Sequence, residues 1–194
     1  MLLYFKLMKR LILIFFFYIF VITDTFANEN YILLQNFENI SDNKVIFMRH
    51  ALAPGNGDPY NFIIDDCATQ RNLDSTGIRQ SQMIGKNFKK NEIKFTKIFS
   101  SFWCRCKDTA SFLNMGEFFT HKGLNSFYQG HVNREETLAE LRKLISSLKV
   151  LKGTYLMVTH YVVIQAFTGM SLSSGGMAVY DLETEKSYYL KLKN

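Results

Sequence analysis

Four side chains in this sequence pair nucleophilic nitrogen with anion-binding cations, and each follows an apolar run. Arg49 and His50 close residues 44–50, KVIFMRH. Arg105 comes shortly after residues 95–101, FTKIFSS, and His160 directly after residues 154–159, TYLMVT. A guanidinium presents a planar fork of N–H donors that matches phosphate oxygens. A neutral imidazole has a free lone pair near pH 7 and can attack phosphorus. Two arginines and two histidines in one place could therefore bind a phosphoryl group and transfer it, mainly by positioning and charge neutralisation. Such a group needs no carboxylate at its centre and no metal or other cofactor.

The elements that must gather these residues can be read from the apolar pattern. Residues 45–48 are β-branched, aromatic or otherwise apolar throughout, which suits a central parallel strand covered on both faces. Residues 95–101 and 154–159 read the same way. Open α/β sheets bind ligands beyond the carboxyl ends of their strands, where all four residues fall. Residues 51–60, ALAPGNGDPY, read as a loop able to cover a small ligand. Asp74 and Ser75 are candidate caps for a helix over 76–90, whose stripe of Gly77, Ser81, Ile84 and Phe88 is small at its start and should pack close to the sheet.

Further on, residues 102–107 read as a turn and 108–118 as a helix. Residues 116–134 show no period and read as a long loop. Residues 135–149 are an amphipathic helix with Leu138, Leu141, Leu144, Ile145 and Leu148 on its apolar face, and 161–168 a helix stopped by Gly169. Residues 177–182 and 188–192 read as a hairpin, and 28–43 as a short helix or extended arm anchored by Tyr31, Leu33, Leu34 and Phe37. The order β-α-β-α-α-β-α-β-β predicts a three-layer α/β/α sandwich with a mostly parallel sheet and an antiparallel C-terminal edge.

The chain of 194 residues fits one domain at 28–194, preceded by a segment of another kind. Lys6, Lys9 and Arg10 precede an uncharged apolar run over 11–22, and Thr25-Phe26-Ala27 offers small residues for cleavage. That is the layout of a secretory signal peptide, with an uncleaved membrane anchor as the alternative because residues 2–5 add apolar length. Either reading exports the domain, in a bacterium to the periplasm. Without residues 1–27 the chain keeps twenty Lys/Arg and sixteen Asp/Glu, a net charge of +4. No run of five like charges occurs, which argues against nucleic acid and fits a small anionic partner. Oligomeric state is not legible. Of the three cysteines, Cys104 and Cys106 are too close to pair with each other, so Cys67 is the expected partner of one of them in an oxidising compartment. A zinc site is disfavoured by their spacing.

These residues carry a resemblance. Arg49-His50 after a strand, Arg71-x-Leu73-x-x-x-Gly77 opening a helix, Ser100-Ser101-x-x-x-Arg105-x-x-x-Thr109-Ala110 and Val158-Thr159-His160 resemble the histidine phosphatase (phosphoglycerate mutase-like) superfamily in order and spacing over roughly 44–182. Asp66-Cys67-x-Thr69-Gln70-Arg71-Asn72-Leu73, Trp103-Cys104-Arg105-Cys106 and Leu124-Asn125-Ser126-Phe127 are similar to a small exported bacterial branch of it. The resemblance implies a metal-independent phosphatase. His50 would form a phosphohistidine, Arg49 and Arg105 would clamp the phosphate, His160 would stabilise the transferred group, and Arg71 would be an outer phosphate ligand.

The sequence also departs from the pattern. Tyr161 follows His160 where acid phosphatases carry Asp, and Gly175-Gly176 stands where similar sequences often carry Gly-Glu. Asp65, Asp66, Glu117, Glu135 and Glu136 are available as general acids, but none sits in a matching context. Two other readings therefore stand beside the phosphatase: a non-catalytic phosphate-binding module on the same fold, and a thiol redox protein built on the three cysteines.

Overall fold

The computed structural model describes residues 31–37 and 42–192, so the expected signal segment lies outside the described residues. Strands β1 (Tyr31–Leu33), β2 (Lys44–Arg49), β3 (Lys97–Ser100), β4 (Phe118–Thr120), β5 (Thr154–Thr159), β6 (Met177–Asp181) and β7 (Ser187–Lys191) form one sheet in the order β1-β7-β6-β2-β5-β3-β4. Neighbours β2, β5, β3 and β4 run parallel, while β6 is antiparallel to both β2 and β7. The predicted C-terminal hairpin is present, and β1 pairs parallel to its outer strand β7.

Alternation along the central strands explains the layers. Ile46 and Met48 of β2 join Leu156 and Val158 of β5 in one core with helices α1 (Ser75–Lys90) and α2 (Cys104–Leu113). Val45, Phe47, Tyr155 and Met157 face the other way, into a core with α3 (Arg134–Leu151) and α4 (Tyr161–Thr168). Strands covered on both faces need apolar residues at every position, as β2 and β5 show.

The helix starts follow their caps. Asp74 accepts from the Gly77 N–H at 2.8 Å to open α1, and Asn133 accepts from the Glu136 N–H at 3.0 Å to open α3. Helix α2 differs from the expected 108–118: it begins at Cys104 and stops where Asn114 turns left-handed at φ +51°. Phe118 is thereby free to join β4. The long middle segment holds that strand and two single 3-10 turns, Lys122–Leu124 and Tyr128–Gly130, too short to leave a periodic signal.

Small residues on α1 do bring it close to its neighbours, although the closest approaches are to other segments than the sheet. A Cβ on Gly77 would lie 2.0 Å from the Leu52 carbonyl oxygen, just past the end of β2. One on Gly85 would lie 2.0 Å from the carbonyl oxygen of Leu113, at the end of α2. Gly85→Ala must push two helices apart and should lower stability by about 1–3 kcal/mol, in the range for overpacking. A thermal melt within a degree of wild type would mean the α1–α2 contact has slack.

Candidate active site

The β2–β5 register sets the site. Arg49 pairs with Thr159, so His50 and His160 leave the sheet side by side, and the His50 N–H donates to the Thr159 carbonyl at 2.9 Å. The two imidazoles meet edge to face with centroids 5.4 Å apart. On the other side of β2, the Arg49 N–H donates to the Gly176 carbonyl, and the Gly175 N–H reaches the carbonyls of Arg49 and His50. Gly175 has φ +72°, and a Cβ on Gly176 would lie 2.9 Å from the Ser173 carbonyl oxygen, so this turn is built for glycine. Thr109 of α2 accepts from the Ala51 N–H and donates to the Arg105 carbonyl, joining the β2 loop to the helix that carries Arg105.

His50 is buried, and its Nδ1 lies 2.8 Å from the Ala51 carbonyl oxygen. A carbonyl only accepts, so Nδ1 carries the proton and Nε2 keeps a free lone pair. Burial, then the charge of Arg105 and more weakly those of Arg71 and Arg49, pushes the His50 pKa down to about 3 against the pull of the Ala51 bond. His160 is likewise held neutral, by burial first and then by Arg105, His50, Arg71 and Arg49. Its Nε2 is 3.0 Å from Ser101 Oγ and 3.4 Å from Cys106 Sγ. Any phosphoryl contact made by His160 therefore falls to Nδ1.

All three arginines singled out in the sequence converge on the histidines. The Arg49 guanidinium donates to the Leu172 carbonyl and lies 5.4 Å from the Tyr161 ring centroid. Arg71 donates to the carbonyls of Gly57 and Ala53, which makes it a brace for the 51–60 loop as well as a charge beside the site. Arg105 is buried in the first turn of α2 rather than in a turn before it. Among the described residues, the Nε–H groups of Arg49 and Arg105 are buried without a hydrogen-bond partner. An unpaired buried donor costs roughly 1–3 kcal/mol, and an anion bound here would relieve both.

The site differs from expectation in holding a carboxylate. Asp58, from the loop, bonds both terminal nitrogens of Arg105, at 2.7 and 3.1 Å, and accepts from Trp103 Nε1 at 2.9 Å and the Arg71 N–H at 3.0 Å. Burial raises its pKa, but the Arg105 bonds and charge and the other two donors outweigh that and hold Asp58 ionised. In the sequence Asp58 stands in Gly-Asp-Pro, inside the 51–60 loop, and Trp103 falls in the run 102–107, which reads as a turn. Asp65, Asp66, Glu117, Glu135 and Glu136 make none of these contacts.

Cys67 pairs with Cys104, leaving Cys106 free and buried. The disulfide ties the loop bearing Asp58 and Arg71 to the start of α2. Arg105 lowers the Cys106 pKa, but burial dominates and pushes it up to about 12, so this thiol is inert as a redox nucleophile. His121 caps a 3-10 turn by accepting from the Gly123 N–H, and His131 is exposed and packs on Phe62.

No family model and no curated protein matches this chain. Solved structures share its fold. A protein histidine phosphatase SixA, complexed with tungstate, is 14% identical, with TM-score 0.53 over 75% of this chain and 93% of its own. A mycobacterial glucosyl-3-phosphoglycerate phosphatase is 14% identical, with TM-score 0.55 over 76% and 97%. The alpha-ribazole phosphatase of Shigella flexneri is 14% identical, with TM-score 0.53 over 78% and 100%. The chain thus has the fold of the histidine phosphatase superfamily.

Two measurements follow from this geometry. Above pH 6.5 folded and unfolded histidines are both neutral; below it the unfolded chain takes up protons that the buried site refuses. Stability should fall with pH by up to about 1.4 kcal/mol per unit for each of His50 and His160. Urea unfolding at pH 7 and pH 5 should show a smaller loss in His50→Gln than in wild type; equal losses would mean His50 is protonated in the folded site. Separately, thiol titration should find no reactive thiol in the native protein, one on denaturation and three after reduction. A reactive native thiol would contradict the burial of Cys106.

Proposed function

We propose that this chain is an exported phosphatase that hydrolyses a phosphomonoester or similar phosphorylated group through a phosphohistidine on His50. The observation that carries this reading is the neutral His50, its Nδ1 proton committed to Ala51 and its surroundings supplied with three guanidiniums. The Nε2 lone pair attacks phosphorus, and the N–P bond forms as the bond to the leaving oxygen breaks. That oxygen departs with the electron pair, which a good leaving group tolerates unprotonated. Water then attacks the phosphohistidine, its proton passes to solvent, and Nε2 recovers its lone pair.

On this reading the unpaired Nε–H donors of Arg49 and Arg105 serve as the phosphate clamp, Arg71 adds outer positive charge, and His160 contributes through Nδ1. The fold supports this class of chemistry, since the neighbours named above are a protein histidine phosphatase, a glucosyl-3-phosphoglycerate phosphatase and an alpha-ribazole phosphatase. A phosphorylated small molecule or protein is therefore the expected substrate. Export is supported by the signal-like pattern of residues 1–27 and by the Cys67–Cys104 disulfide.

One observation favours the binding-module reading: Asp58 is the carboxylate at the site, and it is ionised and engaged by four donors, so it is poorly placed to protonate a leaving group. Hydrolysis of p-nitrophenyl phosphate, with and without EDTA and beside His50→Ala, separates the two. The phosphatase predicts EDTA-resistant turnover that falls at least about 1000-fold in the variant, as for loss of a covalent nucleophile. Phosphate binding with no turnover in wild type would favour the module.

A further inference from the structure

Asp58 is only 9% exposed, and both of its carboxylate oxygens are fully engaged. Oδ1 accepts from Arg105 Nη1 and the Arg71 N–H; Oδ2 accepts from Arg105 Nη2 and Trp103 Nε1. Its backbone is fixed as well. The Asp58 N–H donates to Gln129 Oε1 at 2.7 Å, and its carbonyl accepts from Gln129 Nε2 at 3.2 Å. The position of this carboxylate is thus set by Trp103, Arg71 and Gln129 independently of Arg105.

Arg105 is the partner that is left constrained. With both terminal nitrogens on one carboxylate, and Nη1 also donating to the Arg71 carbonyl at 3.3 Å, its guanidinium plane cannot turn. The donors that remain are the second N–H of Nη2 and the Nε–H beside it, and the Nε–H is buried and unpaired among the described residues. We propose that Asp58 is a positioning residue for phosphate binding, holding Arg105 by its far end so that Nε–H is presented to the phosphoryl group. This rests on the phosphatase reading of the site. It also gives Asp58 a second effect: three guanidiniums and one carboxylate leave two net positive charges, a match for a phosphomonoester dianion.

Two other roles for Asp58 fit less well. A gate that yields its place to phosphate would have to abandon two donors besides Arg105, Trp103 Nε1 and the Arg71 N–H. A general acid would need a proton that four donors and a neighbouring cation keep off it.

The test uses the purified full-length protein, with p-nitrophenyl phosphate for turnover and inorganic phosphate for direct calorimetric binding. Asp58→Asn keeps the shape but turns an N–H toward a donor. It should raise KM and the phosphate Kd by about tenfold or more, the scale of one lost charge-assisted contact. In Arg105→Lys, which cannot use the same two-pronged hold, adding Asp58→Asn should change either value by less than about twofold. Phosphate binding by Asp58→Asn as tight as wild type, or tighter, would overturn the proposal, since a blocking carboxylate gives that result. An equal fold-loss in both backgrounds would also overturn it, because general loss of loop structure is additive. If Asp58→Asn does not fold, Trp103→Phe removes one donor from Oδ2 and should weaken phosphate by a few-fold only when Arg105 is intact; unchanged binding there would sink the idea. A wild type that neither binds phosphate nor turns over the ester would take down the phosphatase reading itself, whereas an active wild type with an indifferent Asp58→Asn removes only the role of Asp58.

Discussion

The register of β2 on β5 is the constraint on which the site depends. Both strands are buried on both faces, so a slip of one residue would turn either Val45 and Phe47 or Tyr155 and Met157 into the wrong core and change every cross-strand partner. The apolar layers therefore specify the pairing of Arg49 with Thr159, and that pairing puts two histidines next to each other where the sheet ends. Chemistry needing sub-ångström placement is carried on elements whose position is determined by packing, not by the polar groups themselves.

Around that rigid centre the charges are arranged as one unit. Two imidazoles kept neutral by burial sit among three guanidiniums, an arrangement that would repel itself without compensation. Asp58 supplies part of that compensation, and it arrives on a loop held by several independent ties. The Cys67–Cys104 disulfide joins the loop to α2. Gln70 accepts from the Cys104 N–H and donates to the carbonyls of Ile63 and Ile64, and Asn72 donates to the Cys67 carbonyl. Phe62 stacks on Trp103, whose indole reaches Asp58. The Trp-Cys-Arg-Cys run thus contributes a loop anchor, a staple and a buried guanidinium beside the histidines, and its fourth member packs on His160.

Much of this was legible in the sequence because the central elements have strong periods. Residues 45–48 and 154–159 read as buried strands, and the stripes of α1 and α3 read as helices, since their partners lie in layers that the pattern itself specifies. The histidines and Arg105 could be placed because strand ends are where such sheets bind ligands. Asp58 could not: a carboxylate between glycine and proline carries a local turn signal, and its partners are 13 to 71 residues away. The start of α2 was missed for a related reason. Trp103, the residue that precedes it, and Cys104 and Arg105 in its first turn face different tertiary partners and leave no helical stripe. The choice between Cys104 and Cys106 as partner of Cys67 also needed three dimensions, because both are two residues apart on a helix turn and only one faces the loop.

The two histidines are held by different kinds of partner, and the difference suits two roles. Ala51 offers His50 a carbonyl, which accepts and never donates, so one tautomer is enforced and Nε2 is always the free nitrogen. His160 instead meets Ser101 Oγ, a group that can donate or accept. Ser101 in turn lies 3.2 Å from Asn125 Oδ1, an oxygen identified by the Phe102 N–H that it also accepts. When the hydroxyl proton points to Asn125, His160 Nε2 donates and Nδ1 bears a lone pair; when it points to His160, Nδ1 carries the proton and can face an anionic oxygen. The hydroxyl orientation thus goes with the tautomer of the second histidine; passing from one to the other also requires a proton to leave one ring nitrogen and another to arrive at the other, with no movement of the ring. In the proposed reaction, a nucleophile gains from having one fixed form, whereas a group that must follow charge appearing on oxygen and then leaving it gains from having two.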